Sequence, residues 1–277
     1  AYTIQIKEKS QAKPGIESLK KRNDELGLLS QSLDDMTNEL QKRISHAENF
    51  STDLVHEIRN PLTSIKMATE VMSNGDINIQ SKFITAIQND VARIEAIITD
   101  YSIMMKDEAL MSDLQNNKID IQKLLENIIL DCSNINTKNL DFKLIKSHNI
   151  NKTFYVNGHE EFIKRAIHNI YDNAISFSPN DNTIETTISL ASSYLTITIA
   201  DNGPGIEELN TENIFNRFYT LREPNNLEAT SHSGLGLHIA RQIIDAHQGN
   251  IRAENQAGTN ESNGAKFIVN LPIITEN

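Results

Sequence analysis

The sequence predicts an α+β fold in which two long helices precede a domain of mixed helices and strands. From Leu26 to Ile65 and again from Ile84 to Met105 the apolar residues recur at spacings of three and four, which is typical of helices that pack along a narrow stripe. Beyond Lys118 the chain changes to short helices and to strands with apolar residues at every second position. We therefore expect a helical part followed by an α/β sandwich.

The first long helix is expected to open at Asn23-Asp24-Glu25, where acidic side chains suit the positive end of the helix dipole. Its apolar stripe runs from Leu26 to Ile65. Pro61 removes a backbone hydrogen bond and would bend the helix at a cost of about 3 kcal/mol. Pro61 could instead start a new helix, but the continuous stripe favours a single one. The preceding residues 1–22 are short and polar and are expected to form a connector.

The second long helix is expected after a turn at Ser73-Asn74-Gly75-Asp76, and its stripe runs from Ile84 to Met105. The two helices would form an antiparallel hairpin. A hairpin with one narrow stripe on each helix cannot cover its own apolar face, so we expect it to pair with a second copy as a four-helix bundle. A coiled-coil spacer without further activity is the alternative that the stripes alone leave open.

Composition excludes several classes of protein. The chain has 277 residues and a formal net charge of -11, which disfavours nucleic acid or an anionic membrane surface as the main partner. Its single Cys132 excludes an internal disulfide framework and predicts a buried structural thiol. No apolar run approaches the roughly 18 residues of a membrane span, and no signal peptide is visible, so a soluble polypeptide is expected.

The second half of the chain is expected to begin after a polar linker at Lys106 to Lys118. Helices are predicted around Leu124 to Ile129, at Glu161 to Phe177 and at Leu235 to His247. Strands are predicted at Thr153 to Val156, Thr183 to Leu190, Tyr194 to Ala200, Ile251 to Glu254 and Ala265 to Leu271.

A candidate reactive histidine lies on the first long helix. At 100° per residue His56 falls on the face opposite the apolar stripe, so it is expected to be exposed. Asn60, four residues on, shares that face, and Glu57 flanks it. A carboxylate that accepts one ring N–H raises the basicity of the other nitrogen, so His56 is a candidate nucleophile. An ordinary solvated histidine is the alternative.

Three motifs in the second half suit a nucleotide. Asn169 and Asn173 share one side of a helix, and their carboxamide oxygens suit Mg²⁺. In Asp201-Asn202-Gly203-Pro204-Gly205 the glycines permit close backbone approach, and the carboxylate can accept a hydrogen bond from the exocyclic amine of adenine. Ser231-His232-Ser233-Gly234-Leu235-Gly236-Leu237 places glycines at the start of a helix, where free N–H groups bind phosphate.

The order of these motifs resembles the HisKA-type sensor histidine kinases of two-component systems. The pattern is H-E-x-x-N-P, then N-x-x-x-N-A, D-N-G-P-G and S-G-L-G-L. The segment from Asn23 to Gly27, with Met36 and Leu40, is similar to the second helix of a HAMP signal-relay domain. The segments 217–222 and 176–179 are similar to the ChvG-like branch from alphaproteobacteria.

The resemblance implies a role for each residue of the histidine motif. His56 would accept the γ-phosphoryl group of ATP, and Glu57 would act as its general base. Asn60 would position water when the same helix face dephosphorylates a partner response regulator. The implied partners are thus a second copy of the chain and the receiver domain of a response regulator.

The resemblance also implies a Bergerat-type ATP-binding fold, of the kind shared with gyrase and Hsp90. Asn173 would hold Mg²⁺ with Asn169 nearby, and Asp201 would recognise adenine through a hydrogen bond. The segment from Glu207 to Ser233, with Phe215, would be a mobile ATP lid. The other nucleotide-binding residues that the family pattern implies are Gly203, Gly205, Arg217, Gly234, Leu235 and Gly236.

The resemblance divides the chain into a partial HAMP-like segment at 1–45, a phosphotransfer hairpin at 46–110 and a catalytic ATP-binding domain at 111–277. The sensor and membrane anchor would then lie upstream, and this chain would be the cytoplasmic part of an inner-membrane protein. Asn169 stands where hydrolysing relatives carry Glu, and a carboxamide cannot take a proton from water. This favours transfer of the phosphoryl group to a nucleophile that is brought to the nucleotide over rapid hydrolysis of ATP. A nucleotide-binding scaffold or a phosphatase-dominant relative is the alternative.

Three residues depart from the family pattern. His232 stands where many relatives have glycine, Ser176 where many have a basic residue, and Gln248 where a glycine pair is usual. All three positions bear on how tightly the phosphates are bound. The departures leave His56, Asn173 and Asp201 unchanged.

Overall fold

The computed structural model describes residues 22, 24–72, 77–111, 117–135, 138–147, 154–191, 193–220, 233–256 and 264–274. The chain divides into two units, Ala1–Asn60 and Pro61–Asn277. The expected connector at 1–22, apart from Arg22, and the expected turn at 73–76 lie outside the described residues.

Both expected long helices are present. Helix α1 spans Glu25–Met72 and contains Pro61 in its interior, so the single-helix prediction is confirmed. Asp24 caps α1, because its Oδ1 accepts a hydrogen bond from the backbone N–H of Gly27 at 3.1 Å. The Arg22 guanidinium beside it lowers the pKa of Asp24. Helix α2 spans Ile77–Met111.

The helical stripes leave much apolar surface uncovered within one chain. On α1 the side chains of Leu29 and Met36 are 56% and 62% exposed. On α2 Ile84 and Ile98 are exposed, whereas Ile97 is fully buried. Exposed apolar residues at this spacing are typical of a helix surface that is covered by another chain.

The α/β domain follows the second helix. Its helices are α3 (Ile121–Ile135), α4 (Glu160–Phe177) and α5 (Gly236–Ala246), with 3₁₀ turns at Glu208–Asn210 and Asn213–Phe215. Its strands are β1 (Asn117–Asp120), β2 (Asp141–Lys146), β3 (Tyr155–Gly158), β4 (Thr183–Ala191), β5 (Tyr194–Ala200), β6 (Asn250–Asn255) and β7 (Ala265–Pro272).

The main sheet has five strands in the order β2-β4-β5-β7-β6. Strand β2 pairs with β4 in parallel, and the other neighbours are antiparallel. Strands β1 and β3 form a separate antiparallel pair, which a bridge between Val156 and Ile273 joins to the end of β7. This mixed sheet and its helices form the expected α/β sandwich.

The core of this domain lies between α4, α5 and the sheet. Helix α4 buries residues at spacings of three and four, and the central strands bury alternate residues. Tyr171 of α4 is fully buried and its hydroxyl pairs with Thr186 of β4. The opposite side of α4 carries Asn169 and Asn173, which are therefore held by a rigid helix.

The predicted elements of the second half are confirmed within a few residues, but the expected linker is too long and strands β1 and β2 were not expected. The expected linker at Lys106 to Lys118 is wrong at both ends, because α2 continues to Met111 and β1 begins at Asn117; residues 112–116 lie outside the described residues. Residues 107–111 contain no glycine or proline that would end the helix, so α2 continues past Lys106. Strand β2 was not expected, because Asp141, Lys143 and Lys146 are polar and the segment lacks the apolar alternation that predicts a strand. It lies at the edge of the sheet, where polar residues are common.

None of the helices in the described part of the chain combines the length and apolarity that a membrane span requires.

Candidate functional site

A cavity of about 590 Å³ lies in the unit Pro61–Asn277. Helix α4 and the loops that follow β5 and precede α5 form most of its wall, and α2 forms a further side. Six residues implied by the family pattern line it: Asn169, Asn173, Asp201, Gly205, Gly234 and Gly236.

Asp201 lies at the end of β5 and is 1% exposed. Its Oδ1 accepts hydrogen bonds from the backbone N–H groups of Gly203 at 2.8 Å and Ala265 at 3.2 Å. Its Oδ2 is buried and has no hydrogen-bond partner within the described part of the chain. Burial raises the pKa of Asp201, and the two backbone donors oppose this.

An unpaired buried carboxylate oxygen on a cavity wall is costly unless a ligand supplies a donor. An exocyclic amine is such a donor, so Asp201 fits an adenine base. This fit rests on the orphaned oxygen of Asp201 and does not depend on the motif.

The glycines near Asp201 have distinct structural roles. Gly203 does not line the cavity, but a side chain there would meet the Phe177 carbonyl oxygen at 2.9 Å. Gly205 lines the cavity with a φ of 81°, which glycine adopts without strain. Sequence reasoning missed Gly264, where a Cβ would lie 1.9 Å from the backbone oxygen of Asp201. Only the pairing of β7 with β5 brings Gly264 to this position.

The glycine-rich loop before α5 lies on another side of the cavity. Gly234 has a φ of 75°, and a Cβ there would approach the backbone of Phe218 to 2.8 Å. A Cβ on Gly236 would lie 3.7 Å from Asn169, so this glycine leaves room between the two helices. The Oγ of Ser233 accepts a hydrogen bond from the N–H of Leu235 at 3.1 Å. Free N–H groups at the start of α5 suit a phosphate.

Besides Gly203, two further nucleotide-binding residues implied by the family pattern, Arg217 and Leu235, do not line the cavity. Leu235 is fully buried, so its side chain belongs to the core. Arg217 donates from Nε to Nε2 of His238 at 3.0 Å, and His238 in turn contacts the Phe215 carbonyl at 3.1 Å. Burial is the main cause of a lowered pKa at His238, which fits a neutral ring that can accept from Arg217.

The first part of the expected ATP lid is packed against α5. Phe215 is 1% exposed, and the Arg241 guanidinium lies 4.1 Å from the centroid of its ring. Arg241 also pairs with Glu212 at 2.9 Å. Residues 221–232, including His232, lie outside the described residues.

The other two residues that depart from the family pattern, Ser176 and Gln248, lie in described parts of the chain. The carbonyl oxygen of Ser176 accepts a hydrogen bond from the Lys138 ammonium at 2.8 Å. Gln248 has a φ of 57°, which explains why glycine suits this position.

His56 belongs to the other unit and lies on α1. Its side chain and that of Asn60 are exposed, and Glu57 is half-buried. The expected exposure of His56 is confirmed. An exposed imidazole beside a carboxylate can act as a nucleophile.

The cavity is strongly acidic. Glu95 and Asp100 of α2 line it together with Asp172 and Asp201, and no Lys or Arg occurs among its described lining residues. Loss of hydration is the main cause of a raised pKa at Asp172, and the negative charge of Asp100 adds to it. The stripe pattern that predicted α2 indicated no such role for Glu95 or Asp100.

No group of three or more His, Cys, Asp or Glu side chains within the described ranges could hold a metal by itself. The carboxamides of Asn169 and Asn173 supply oxygen atoms that suit Mg²⁺ when a bound phosphate provides further ligands.

Two family profiles match the chain. The profile of the His Kinase A (phospho-acceptor) domain matches residues 46–110. The profile of the histidine kinase-, DNA gyrase B- and HSP90-like ATPase matches residues 158–275.

Curated relatives extend this likeness to most of the chain. Sensor protein ChvG of Rhizobium meliloti is 38% identical over 259 residues, which cover 91% of this chain and 44% of that protein. Sensor protein ChvG of Agrobacterium fabrum is 33% identical and covers 98% of this chain and 47% of its own length. The chain therefore spans less than half the length of these relatives.

Solved structures share the fold. The histidine kinase ThkA, crystallised in complex with response regulator protein TrrA, aligns with a TM-score of 0.61 at 23% identity over 95% of this chain and 68% of that one. Histidine kinase AdeS of Acinetobacter baumannii aligns with a TM-score of 0.53 at 19% identity over 79% of this chain and 98% of its own.

Proposed function

This chain belongs to the sensor histidine kinases of two-component systems, and from that premise we propose that it uses ATP to phosphorylate His56 and then passes the phosphoryl group to an aspartate of a response regulator. The buried Oδ2 of Asp201, which has no partner among the described residues, carries the nucleotide half of this proposal, because it favours a ligand that donates a hydrogen bond, as the amine of adenine does.

The proposed transfer uses His56 as the nucleophile. A ring nitrogen of His56 forms a bond to the γ-phosphorus, the bond from that phosphorus to the bridging oxygen breaks, and ADP leaves with the electron pair. Glu57 accepts the ring proton. Such transfers depend mainly on positioning and on neutralising charge.

The nucleotide would be held by groups from three places on the cavity wall. Asp201 would bind the adenine amine, the N–H groups at the start of α5 would bind phosphate, and Asn173 with Asn169 would hold Mg²⁺. Bound Mg²⁺ supplies the positive charge that the acidic cavity lacks. Gly236 is small enough to leave space for phosphate beside Asn169.

The proposed partners are a second copy of the chain and a response regulator. The exposed apolar stripe that includes Leu29, Met36 and Ile84 supports a dimer of the two long helices. ThkA was solved with a response regulator, which supports such a partner here. On this proposal Asn60 positions water for dephosphorylation of the regulator, and the whole protein works at the cytoplasmic side of the inner membrane.

The test is incubation with Mg²⁺ and γ-labelled ATP, comparing the wild type with His56→Gln and Asp201→Asn. We expect acid-labile, alkali-stable label on the wild type only. His56→Gln should still bind ADP, whereas Asp201→Asn should bind it weakly. Nucleotide binding by the wild type without label on His56 would contradict the kinase proposal and favour the scaffold or phosphatase alternative.

A further inference from the structure

The glycine-rich loop is hydrogen-bonded to the second long helix. The hydroxyl of Ser233 donates to Oδ2 of Asp100 on α2. The same hydroxyl oxygen accepts from the N–H of Leu235 at 3.1 Å, immediately before α5 begins. Ser233 is 5% exposed, so this contact is shielded from solvent. A carboxylate therefore lies at the loop and helix start that would bind the phosphate of a nucleotide.

Helix α2 also closes one side of the cavity. Ala92 and Ala96, together with Thr99, present small side chains to it, and Glu95 adds a second carboxylate next to Asp100. These residues lie at spacings of three and four along α2, so they share one face of the helix. That face is part of the cavity wall while Asp100 is bonded to Ser233.

The charges of this wall oppose a phosphate. Two of the four carboxylates on the wall come from α2, and the described lining residues supply no cation to offset them. Two like charges several ångström apart repel each other appreciably at a partly buried site. A nucleotide phosphate that approaches Ser233 must therefore displace Asp100 or remain beside it.

We propose that Asp100 mimics a phosphate at the glycine-rich loop, so that α2 and the phosphates of an adenine nucleotide compete for Ser233 and the start of α5. This proposal rests on the proposed function of the cavity and adds an autoinhibitory contact to it. Because such competition is reciprocal, nucleotide binding releases α2, and any movement that withdraws α2 raises nucleotide affinity.

The test measures the binding of ATP, ADP and adenosine, with Mg²⁺ present, by titration calorimetry. Asp100→Asn keeps the size of the side chain and removes its charge. We expect Asp100→Asn to tighten ATP binding about threefold to tenfold and to change adenosine binding less than about twofold. Asp90→Asn is the matched control, because Asp90 lies on α2 but does not line the cavity.

Each outcome bears on one proposal. Equal ATP affinity for the wild type and Asp100→Asn would overturn the competition, and so would an equal gain for adenosine and ATP. Failure of the wild type to bind ATP or adenosine would instead contradict the proposed nucleotide site. Asp100→Ala removes both the charge and the hydrogen bond to Ser233, and we expect it to tighten ATP binding as Asp100→Asn does. Thermal unfolding of both variants checks that they remain folded.

Discussion

The buried imidazole of His247 accepts a hydrogen bond from the backbone N–H of His159, with 3.2 Å between Nε2 and the amide nitrogen. Its Nδ1 lies 2.7 Å from the carbonyl oxygen of Ile243. These two contacts require a neutral ring with its proton on Nδ1, because a protonated Nε2 could not accept. The ring also packs on Gly158, where a Cβ would come within 2.3 Å of it.

This contact predicts that acid destabilises the domain through His247. Burial is the main cause of the lowered pKa of His247, and the unfolded chain regains the ordinary value near 6.5. As the pH falls through that value the unfolded state binds a proton that the folded state excludes, so the free energy of unfolding decreases. Urea unfolding at pH 7.5 and pH 5.5 should show this loss.

His247→Gln is the variant that isolates this effect, because glutamine can accept from His159 and does not titrate in this range. We expect a smaller loss of stability between the two pH values than in the wild type. The pKa values of His168 and His238 are also lowered mainly by burial, so these two residues preserve part of the pH dependence of stability in the variant. An unchanged slope in His247→Gln would show that those two histidines account for it.

Asp201→Asn should weaken the binding of adenine nucleotides about 100-fold while the domain stays folded, because loss of a charged acceptor costs about 2 to 3 kcal/mol. The isosteric amide can still accept from Gly203 and Ala265, but its NH₂ group would then face the adenine amine. Calorimetric titration with ADP measures the change. Asn202→Asp is the control variant, because Asn202 is next to Asp201 but is exposed and does not line the cavity. Equal affinity in Asp201→Asn and the wild type would exclude Asp201 as the adenine acceptor.

Two glycines of the same loop should respond differently to alanine. Gly234→Ala places a side chain at a φ of 75° and 2.8 Å from the Phe218 backbone, so we expect it to lower the free energy of unfolding by about 1 to 3 kcal/mol. Gly236→Ala meets only ordinary contacts at 3.7 Å and should retain stability but bind ADP more weakly, because its methyl group fills space beside Asn169. Thermal unfolding and ADP titration of both variants separate the two effects. The same loss of stability in both would contradict the distinction.

The thiol of Cys132 should be nearly inert in the folded protein. Burial raises the pKa of Cys132 to about 11, and the charges of Asp172 and Asp131 add to this. His168 lies 4.0 Å from the sulfur, but the thiolate that a reactive cysteine needs is scarce at neutral pH. Reaction with a thiol reagent at pH 7.5 should be slow and should become fast in denaturant. Fast reaction of the native protein would show that the local structure opens readily.

Much of the fold could be predicted from the residues alone because its elements carry strong periodic signals. The buried residues of α4 and α5 recur at helical spacing, and the strand Tyr194–Ala200 alternates at every second residue. Strand β2 was missed because it is an edge strand with mostly exposed residues, and its pairing with β4 supplies what its composition lacks.

The candidate site was only partly predictable, because motifs show which residue types are present and not which of them meet. Asp201 and Gly234 could be recognised from their local sequence, and both line the cavity. Arg217, which the family pattern implies at the nucleotide, lies outside the cavity lining and donates a hydrogen bond to His238. Gly264 gave no local signal, because its importance depends on the close approach of β7 to the backbone of Asp201.

Local sequence specifies the two long helices, the alternating strands, the exposed position of His56 and the glycine-rich start of α5, since each depends on neighbours within a few residues. Packing between distant segments leaves Oδ2 of Asp201 without a partner among the described residues and brings Asp100 to Ser233. Those contacts join residues far apart in the chain, and they form only when the packing of helices and sheet fixes the distances between them.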